Sequence, residues 1–546
     1  MEKRLLLAIV LSFLVLVLYQ ILFVKRKPEV KAPPETQAEE KIIKKETYFP
    51  QEEPLPRKEL PQEEIIQPVS ERAEKQILIE TSLYRAFWSN KGAVLKSWRL
   101  KEYKDEEKND LELVSLRSSE VNIFPISIWT EDPSFNSEIN SVLYKPSAST
   151  LELKNGQKGE IRFEYADEKG TYVEKVFTFQ DGTYDFDVKV NVKKRGQEIE
   201  PRILWGPSFG NPSLSRQKQR FGGGKGIAVM ISDKVRRIEE RKFKPEQSEF
   251  IYADWAAYED NYFAAILLVS QKQSRIEFIK EDIEEIPNFF LSIGNPYRIY
   301  IGPKEYGKLK EFSNETKQLI KFGIFGFIAE ILLRAIKVIH KAFPNWGFSI
   351  IILTLIIKII FFPLTYSSTR SMAKMQELQP KIKALKAKHK KAKQDIAQRR
   401  KMNEEMMRLY KEHGINPAGG CLPMLIQLPV FWGFFRLLIV AIEFRHSPFI
   451  FWIKDLSVKD PFYVTPILMG ITQFISQKMT PTSADPTQAR MMLIMPVIMT
   501  IFFMSFPSGL VLYWLISNVL QIAQQFIMNR LSQKKKREAH GKRRKK

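Results

Sequence analysis

The sequence predicts a polytopic α-helical membrane protein with six transmembrane helices and one large all-β domain between the first two spans. Three observations carry this expectation. One apolar run opens the chain and five more follow residue 345. Between them, from residue 75 to about 315, the apolar period changes to two. Charge is also segregated: residues 1–24 hold two basic side chains against one acid, residues 25–320 hold 48 against 50, and residues 321–546 hold 35 against 11. These balances of +1, −2 and +24 account for the net charge of +23, which therefore resides in the last 226 residues.

The first run, Leu5 to Val24, follows Lys3 and Arg4 and makes about 30 Å of helix, enough to cross a bilayer. A cleaved signal peptide fits less well, because the run is too long and Ile21-Leu22-Phe23-Val24-Lys25 offers no small-x-small cleavage site. Positive charge ahead of the span places residues 1–24 as an anchor with its N-terminus in the cytoplasm. Residues 25–74 are rich in Pro, Glu, Lys and Gln and read as a disordered linker, since they have too little apolar surface to order themselves.

Residues 75–318 read as an antiparallel β-sandwich. Tyr184, Phe186, Val188, Val190 and Val192 alternate with Asp185, Asp187, Lys189 and Asn191, and Asp181-Gly182 marks a hairpin after Val176-Phe177-Thr178-Phe179. Short runs at 77–79, 94–100, 126–129, 161–165, 264–269 and 299–301 repeat the pattern. Trp205, Trp255 and Tyr258 are expected to be packing residues. Residues 319–341 follow as an amphipathic helix, with Glu330, Arg334, Lys337 and Lys341 on one face and Phe325, Phe327, Ile328, Ile331, Leu332, Ile336 and Ile339 on the other. Such a helix lies in the membrane surface, with burial against the sandwich as the alternative.

The core spans 345–530, with membrane runs at about 347–366, 421–442, 462–477, 491–506 and 509–528. The third and fourth of these make only about 24 Å of helix against a hydrocarbon core of about 30 Å, so the bilayer is expected to thin there. A helical hairpin at 368–418 carries 14 basic residues against five acids, and the tail from 534 carries nine against one, which places both in the cytoplasm. The hairpin seam reads as Met372, Met375, Leu378, Ile382, Leu385, Ile396, Met402, Met406 and Leu409, closed by Gly414 and Asn416-Pro417. Residues 531–546 form the basic tail.

Composition excludes several chemistries. The single Cys421 allows no intramolecular disulfide framework and no multi-Cys zinc or iron-sulfur site. The five histidines fit no HExxH pattern, and Gly222-Gly223-Gly224-Lys225-Gly226 lacks the spacing of a phosphate loop. No metal or cofactor is expected. The informative residue is Lys358, placed within Ile350 to Phe362, about 12 Å from the cytoplasmic end of its helix. A lysine there costs about 2.5 to 3.5 kcal/mol on insertion scales and lies too deep to snorkel, so it should face water or a partner. Thr354, Gln427, Gln473, Asn518 and Gln521 are polar company for it on the other spans. Arg436 sits near the outer end of its helix, where snorkelling or pairing with Glu443 would satisfy it. A lone cation in a polar-lined cavity attracts acidic or peptide groups entering from water, and a transporter or channel for a small anion would look similar. A sugar-binding domain on an incidental anchor leaves five further spans unexplained.

The residues of the core also carry a resemblance. Asn416-Pro417-Ala418-Gly419-Gly420-Cys421 with Pro423 and Gln427-Leu428-Pro429, Phe361-Phe362-Pro363-Leu364, Ser371 to Met375, Gln379-Pro380-Lys381-Ile382, Pro466 to Gly470, Asp485-Pro486 and Phe506 to Trp514 resemble the bacterial YidC membrane protein insertases, a family shared with mitochondria and chloroplasts. The resemblance covers essentially the whole chain. It implies a five-helix insertase core, a hydrophilic groove open to cytoplasm and lipid, and a periplasmic β-supersandwich in the inner membrane of a Gram-negative cell. It further implies that nascent membrane proteins meet Lys358, Thr354, Gln427, Gln473, Tyr513, Trp514, Asn518 and Gln521, with no catalytic residue and no small-molecule substrate. The implied partners are Sec translocon components, membrane lipids and the ribosome. Ribosome contact would run through Asp485, Lys534, Lys535, Lys536, Arg537, Lys542, Arg543, Arg544, Lys545 and Lys546. The chain departs from the family in having Lys358 where arginine is usual, which keeps charge but loses a planar fork. Trp514 stands where a second tyrosine is common.

Overall fold

The computed structural model describes residues 68–105, 107–210, 225–240, 249–271, 273–283, 286–294, 296–323, 325–389, 395–414, 422–479 and 486–544. The expected first span and the linker up to residue 67 lie outside the described residues, as do Asp485, Lys545 and Lys546. Apart from the first turns of the helix that begins at Pro486, everything below belongs to one unit, Glu64–Ala484 with Met492–Lys546.

The alternation at Asp185–Lys194 places Phe186, Val188, Val190 and Val192 inward and Asp187, Lys189 and Asn191 outward. This strand lies within a ten-stranded sheet, between Tyr172–Gln180 and Pro296–Pro303. Two five-stranded sheets complete the domain, one including Gln76–Glu80 to Val94–Lys104, the other including Arg202–Trp205 and Ser274–Ile283. Pairing is antiparallel except between Gln76–Glu80 and Thr150–Glu152. The hairpin turn forms at Asp181-Gly182, where Gly182 takes a φ of +86° that a side chain resists. The Asp181 carboxylate accepts the Ser82 N–H at 2.7 Å and the Gly156 N–H at 3.1 Å, which ties the turn to two other loops. Trp205, Trp255 and Tyr258 are buried in this domain.

One inward position carries a charge. Lys175 follows the same alternation as Phe177 and Phe179, is wholly buried, and donates to the carbonyls of Gly92 at 2.8 Å, Ala93 at 3.2 Å and Ile126 at 2.9 Å. Those three residues all sit at positive φ, an unfavourable backbone for Ala and Ile, so the amine pins two strained turns. Burial pushes its pKa down to about 7.

The helical part comprises α1 (Gly326–Ala342), α2 (Trp346–Glu377), α3 (Gln379–Lys388), α4 (Ile396–Glu412), α5 (Leu422–Val440), α6 (Val464–Met479), α7 (Pro486–Phe503) and α8 (Ser508–Arg544). The helix expected from 319 starts instead at Gly326, because Thr316–Leu319 closes a separate 3-10 turn. The chain after that turn is gripped from both sides. Arg237 of the β-domain donates to the Leu319 carbonyl and Arg436 of α5 donates to the Lys321 carbonyl, each at 2.6 Å. The expected Arg436–Glu443 pairing is thus replaced. Glu443 instead meets Lys337 of α1 at 2.6 Å, and Lys337 also reaches Glu305 at 3.0 Å. Burial pushes the Glu443 carboxyl up, with the Lys337 amine opposing it.

The apolar side of α1 divides in two. Ala329, Leu332, Leu333 and Ile336 are buried, with Ile328 and Ala329 approaching Gly433 of α5, where a Cβ would lie 2.9 Å from Ile328. Phe327, Ile331 and Val338 face outward and are exposed.

The span expected at 347–366 and the start of the hairpin form one helix of 32 residues, α2, with Pro363 inside it. Asn345 caps it by accepting the Phe348 N–H, and the helix runs on through Pro363 to the point where Gln379-Pro380 starts α3. In the hairpin, Leu378 and Ile382 pack with Met375, Met406, Leu409 and Tyr410. Ile396 is not in this seam; it is 85% exposed, directly after the Asp395 cap. Among the described residues, α2 and the Ser508–Arg530 part of α8 are long and apolar enough to cross a membrane. Ile426–Val440 and Leu493–Phe503 are shorter apolar stretches, and α6 has 16 residues.

Two stability predictions follow from the buried charges. For Lys175 the folded state sheds its proton near pH 7 while the unfolded chain holds it to about 10.5, so the unfolded state binds more protons across that window. Stability should therefore rise from pH 7 to 9 and this rise should vanish in Lys175→Met; thermal melts of the full chain at both pH values, with equal slopes for parent and variant, would contradict the account. Lys337→Met should cost about 3 kcal/mol by leaving Glu443 buried without a cation, and adding Glu443→Gln should recover a large part. An unchanged melting temperature in detergent for the single variant would rule out this pair as a fastener.

Candidate functional site

The polar positions expected on separate spans converge on α8. Its residues Ser517, Asn518, Gln521, Gln524 and Gln525 follow helical spacing and so share one face. Four of them, Ser517, Asn518, Gln524 and Gln525, are buried. Lys358 of α2 donates to the Gln521 side-chain carbonyl at 3.3 Å. Among the described residues it meets no carboxylate, so its charge is held by an amide dipole alone. Asn518 donates to the Met469 carbonyl of α6 at 3.2 Å and to Thr472 at 3.4 Å. The Trp514 indole N–H donates to Gln473 of α6 at 3.2 Å.

Tyr513 is fully buried, its ring stacked on Phe434 of α5 at 4.6 Å and its hydroxyl beside Gln427 and Ser517. Trp514 packs edge-on to Phe431 at 4.9 Å and near Phe503 at 5.3 Å. One expected member stays apart: Thr354 is buried and its hydroxyl donates to the Ile350 carbonyl of its own turn, so it makes no bond to the α8 set. Sequence reasoning missed Ser517, Gln524 and Gln525. Their signal was present in the spacing from Asn518 and Gln521.

The outward faces reverse this polarity. Leu355, Ile356, Ile359 and Ile360 of α2, Ile467, Leu468 and Ile471 of α6, and Val497, Ile498 and Ile501 of α7 are exposed. A bundle that is polar within and apolar without is stable when its surroundings are hydrocarbon. The interior offers amide and hydroxyl groups and one ammonium, which suits reversible hydrogen bonding and attraction of negative charge. The described residues contain no cluster of three or more His, Cys, Asp or Glu placed for a metal ion.

Of the basic positions near the C-terminus, Lys534, Lys535, Lys536, Arg537, Lys542, Arg543 and Arg544 lie on the last turns of α8, which stays helical through Arg544.

Comparison with known proteins adds the following. The family described as 60Kd inner membrane protein matches residues 338–536, and the family described as YidC periplasmic domain matches residues 76–335. The membrane protein insertase YidC of Geotalea daltonii is 36% identical over 550 residues, covering 97% of this chain and 99% of that protein. The membrane protein insertase YidC of Syntrophus aciditrophicus is 35% identical over 556 residues, covering 97% and 100%. A crystal structure of an active YidC insertase with its first transmembrane domain resolved is similar over 84% of this chain and 94% of that one, at 19% identity and a TM-score of 0.35.

Proposed function

This chain belongs to the YidC family of membrane protein insertases, and on that premise we propose that it inserts inner-membrane proteins and helps fold and assemble them through a hydrated groove beside α8. It is an inner-membrane protein with a periplasmic domain. The observation that carries the reading is the Lys358–Gln521 contact within a bundle that is polar inside and apolar outside. A half-buried ammonium bonded to one neutral amide has donors left over, and water or a client's polar groups are the natural acceptors.

In this reading a polar extracellular segment of the client is carried part of the way across by the groove lined by Lys358, Gln427, Gln473, Trp514, Asn518 and Gln521. The client's apolar segment meanwhile leaves sideways along the exposed faces of α2, α6 and α7, and the hydrophobic effect drives that step. No bond is made or broken. Insertion proceeds alone or beside the Sec translocon. In this reading the six apolar runs are six spans, and the basic loops put both termini in the cytoplasm. The basic end of α8 and the hairpin α3–α4 face the ribosome there.

Replacing Lys358 tests the groove. Lys358→Arg keeps the charge and should insert clients close to normally. Lys358→Leu removes the insertion cost of about 2.5 to 3.5 kcal/mol but leaves Gln521 without its donor, at roughly 1 kcal/mol, so the protein should gain on the order of 2 kcal/mol in stability while inserting clients several-fold less well. Protease protection of a tail-reporter client in proteoliposomes reads the second effect. Full insertion of every client by Lys358→Leu would end the groove mechanism for this protein. For the tail, deletion of residues 534–546 should weaken co-sedimentation with ribosomes, and the parent's binding should fall steeply between low and high salt. Equal binding by the parent and the truncated chain at both salt concentrations would remove the tail from ribosome contact.

A further inference from the structure

The loop from Arg445 to Tyr463, between α5 and α6, is held in a fixed shape. Asp460 accepts from the Trp452 indole N–H at 3.0 Å, the Phe462 N–H at 3.0 Å, and the Thr465 N–H and hydroxyl at 2.8 and 2.7 Å. Its inner side is fastened to the start of α8: the Ser508 hydroxyl donates to the Asp455 carbonyl, the Ser508 N–H to Val458, and the Gly509 N–H to Leu456. At one end the Arg445 guanidinium lies over the rings of Tyr262 and Phe263 of the β-domain, at 5.8 and 5.4 Å. A loop with this many anchors is not slack.

Yet this frame displays large rings outward. Phe451 is 84% exposed and Phe462 67%, with Ile450 and Tyr463 also exposed. Phe451 and Tyr463 hold φ values of 52° and 56°, a left-handed backbone that bulky residues rarely adopt. Two strained positions and two bare phenylalanines in one rigid loop are unfavourable in water. They make sense against an apolar surface.

The surroundings of the loop identify that surface. Phe462 stands two residues ahead of α6, whose exposed Ile467, Leu468 and Ile471 continue the same apolar exterior. Phe449, beside the loop tip, packs edge-on at 5.4 Å against Phe348, which lies just inside α2 and is itself exposed. The loop therefore sits level with the outer ends of α2, α6 and α8. Lys454 and Lys459 are exposed on it, and Lys459 reaches the Tyr463 hydroxyl at 3.3 Å. Aromatic rings with lysines at the end of membrane helices are the composition of the bilayer interface, where rings enter the acyl boundary and ammonium groups meet phosphates.

We propose that the loop Arg445–Tyr463 is a membrane-interface anchor: Phe451 and Phe462 are inserted into the outer-leaflet boundary of the phospholipid bilayer, with Lys454 and Lys459 at the headgroup phosphates. Because the same loop carries Arg445 beneath the β-domain, it sets the depth of the bundle and the height of that domain together. The inference needs the chain to be in a membrane and is independent of how clients are handled.

The test uses the full chain in proteoliposomes of mixed zwitterionic and anionic phospholipid. Cys421→Ser removes the sole cysteine, and nitroxide labels are placed through Phe451→Cys or Phe462→Cys, with Ile501→Cys as the lipid reference and Lys169→Cys as the water reference. Collision rates are measured with oxygen, which concentrates in lipid, and with a water-soluble nickel chelate. Both loop labels should collide with oxygen several-fold more than the label at 169 does, relative to nickel, and lie shallower than the label at 501. A reading like that at 169 at either position overturns the proposal. So does shielding from both reagents, which would mean that another protein or a second copy covers the loop. If one loop variant fails to fold, the other decides alone, since each ring is exposed and the two are linked only through Trp452, which both touch.

Discussion

A bilayer interior offers no hydrogen bonds, so each polar group carried into it must find its partner within the protein. This constraint explains why the amides of α8 face inward and why Lys358 ends on Gln521 rather than in hydrocarbon. It also explains the choice of groups. Glutamine and asparagine each offer donors and an acceptor, so they satisfy one another and still accommodate a visiting peptide. A carboxylate opposite Lys358 would have neutralised it into a fixed pair and closed that option. The arrangement leaves a positive charge that is tolerated, not quenched.

At the outer end of the bundle the logic is inverted, and charges are closed tightly. Lys337 stands between Glu305 and Glu443, joining α1, the segment leading out of the β-domain and the turn after α5. Arg237 and Arg436 hold the Leu319 and Lys321 carbonyls of the intervening chain. A passage of polypeptide gripped from two sides by half-buried guanidinium groups, beside the Lys337 pairings, has few ways to bend. The β-domain and the helices therefore meet through a stiff joint, with the loose polar set placed further down the bundle.

Much of this architecture was legible because period and hydropathy report local geometry. Strands at 94–100 and 161–165, the hairpin at Asp181-Gly182 and the depth of Lys358 all follow from residues near one another in sequence. Partners distant in the chain were not legible. Lys337 and Glu443 are separated by over a hundred residues, and Arg436 bonds a backbone carbonyl, a group every residue has and no sequence marks. Lys175 was readable in principle, since Phe177 and Phe179 set the inward parity that it shares. Its three carbonyl acceptors were not, because they depend on turns at Gly92 and Ile126 whose strained backbone is set by the tertiary fold.

The unbroken helix α2 has a mechanical consequence. Its 32 residues make a rod of about 48 Å, well beyond the hydrocarbon thickness, so the segment holding Lys358 continues directly into the base of the hairpin α3–α4. Pro363 sits near its middle and withholds the donor for the Ile359 carbonyl, which makes that turn the softest part of the rod. The result is two stiff arms of about 25 Å and about 21 Å joined at a soft turn five residues after Lys358. A bend of about 10° at that turn sweeps the Glu377 end through roughly 4 Å while the arm holding Lys358 stays in place. Excursions of the hairpin are thereby absorbed before they reach the charge.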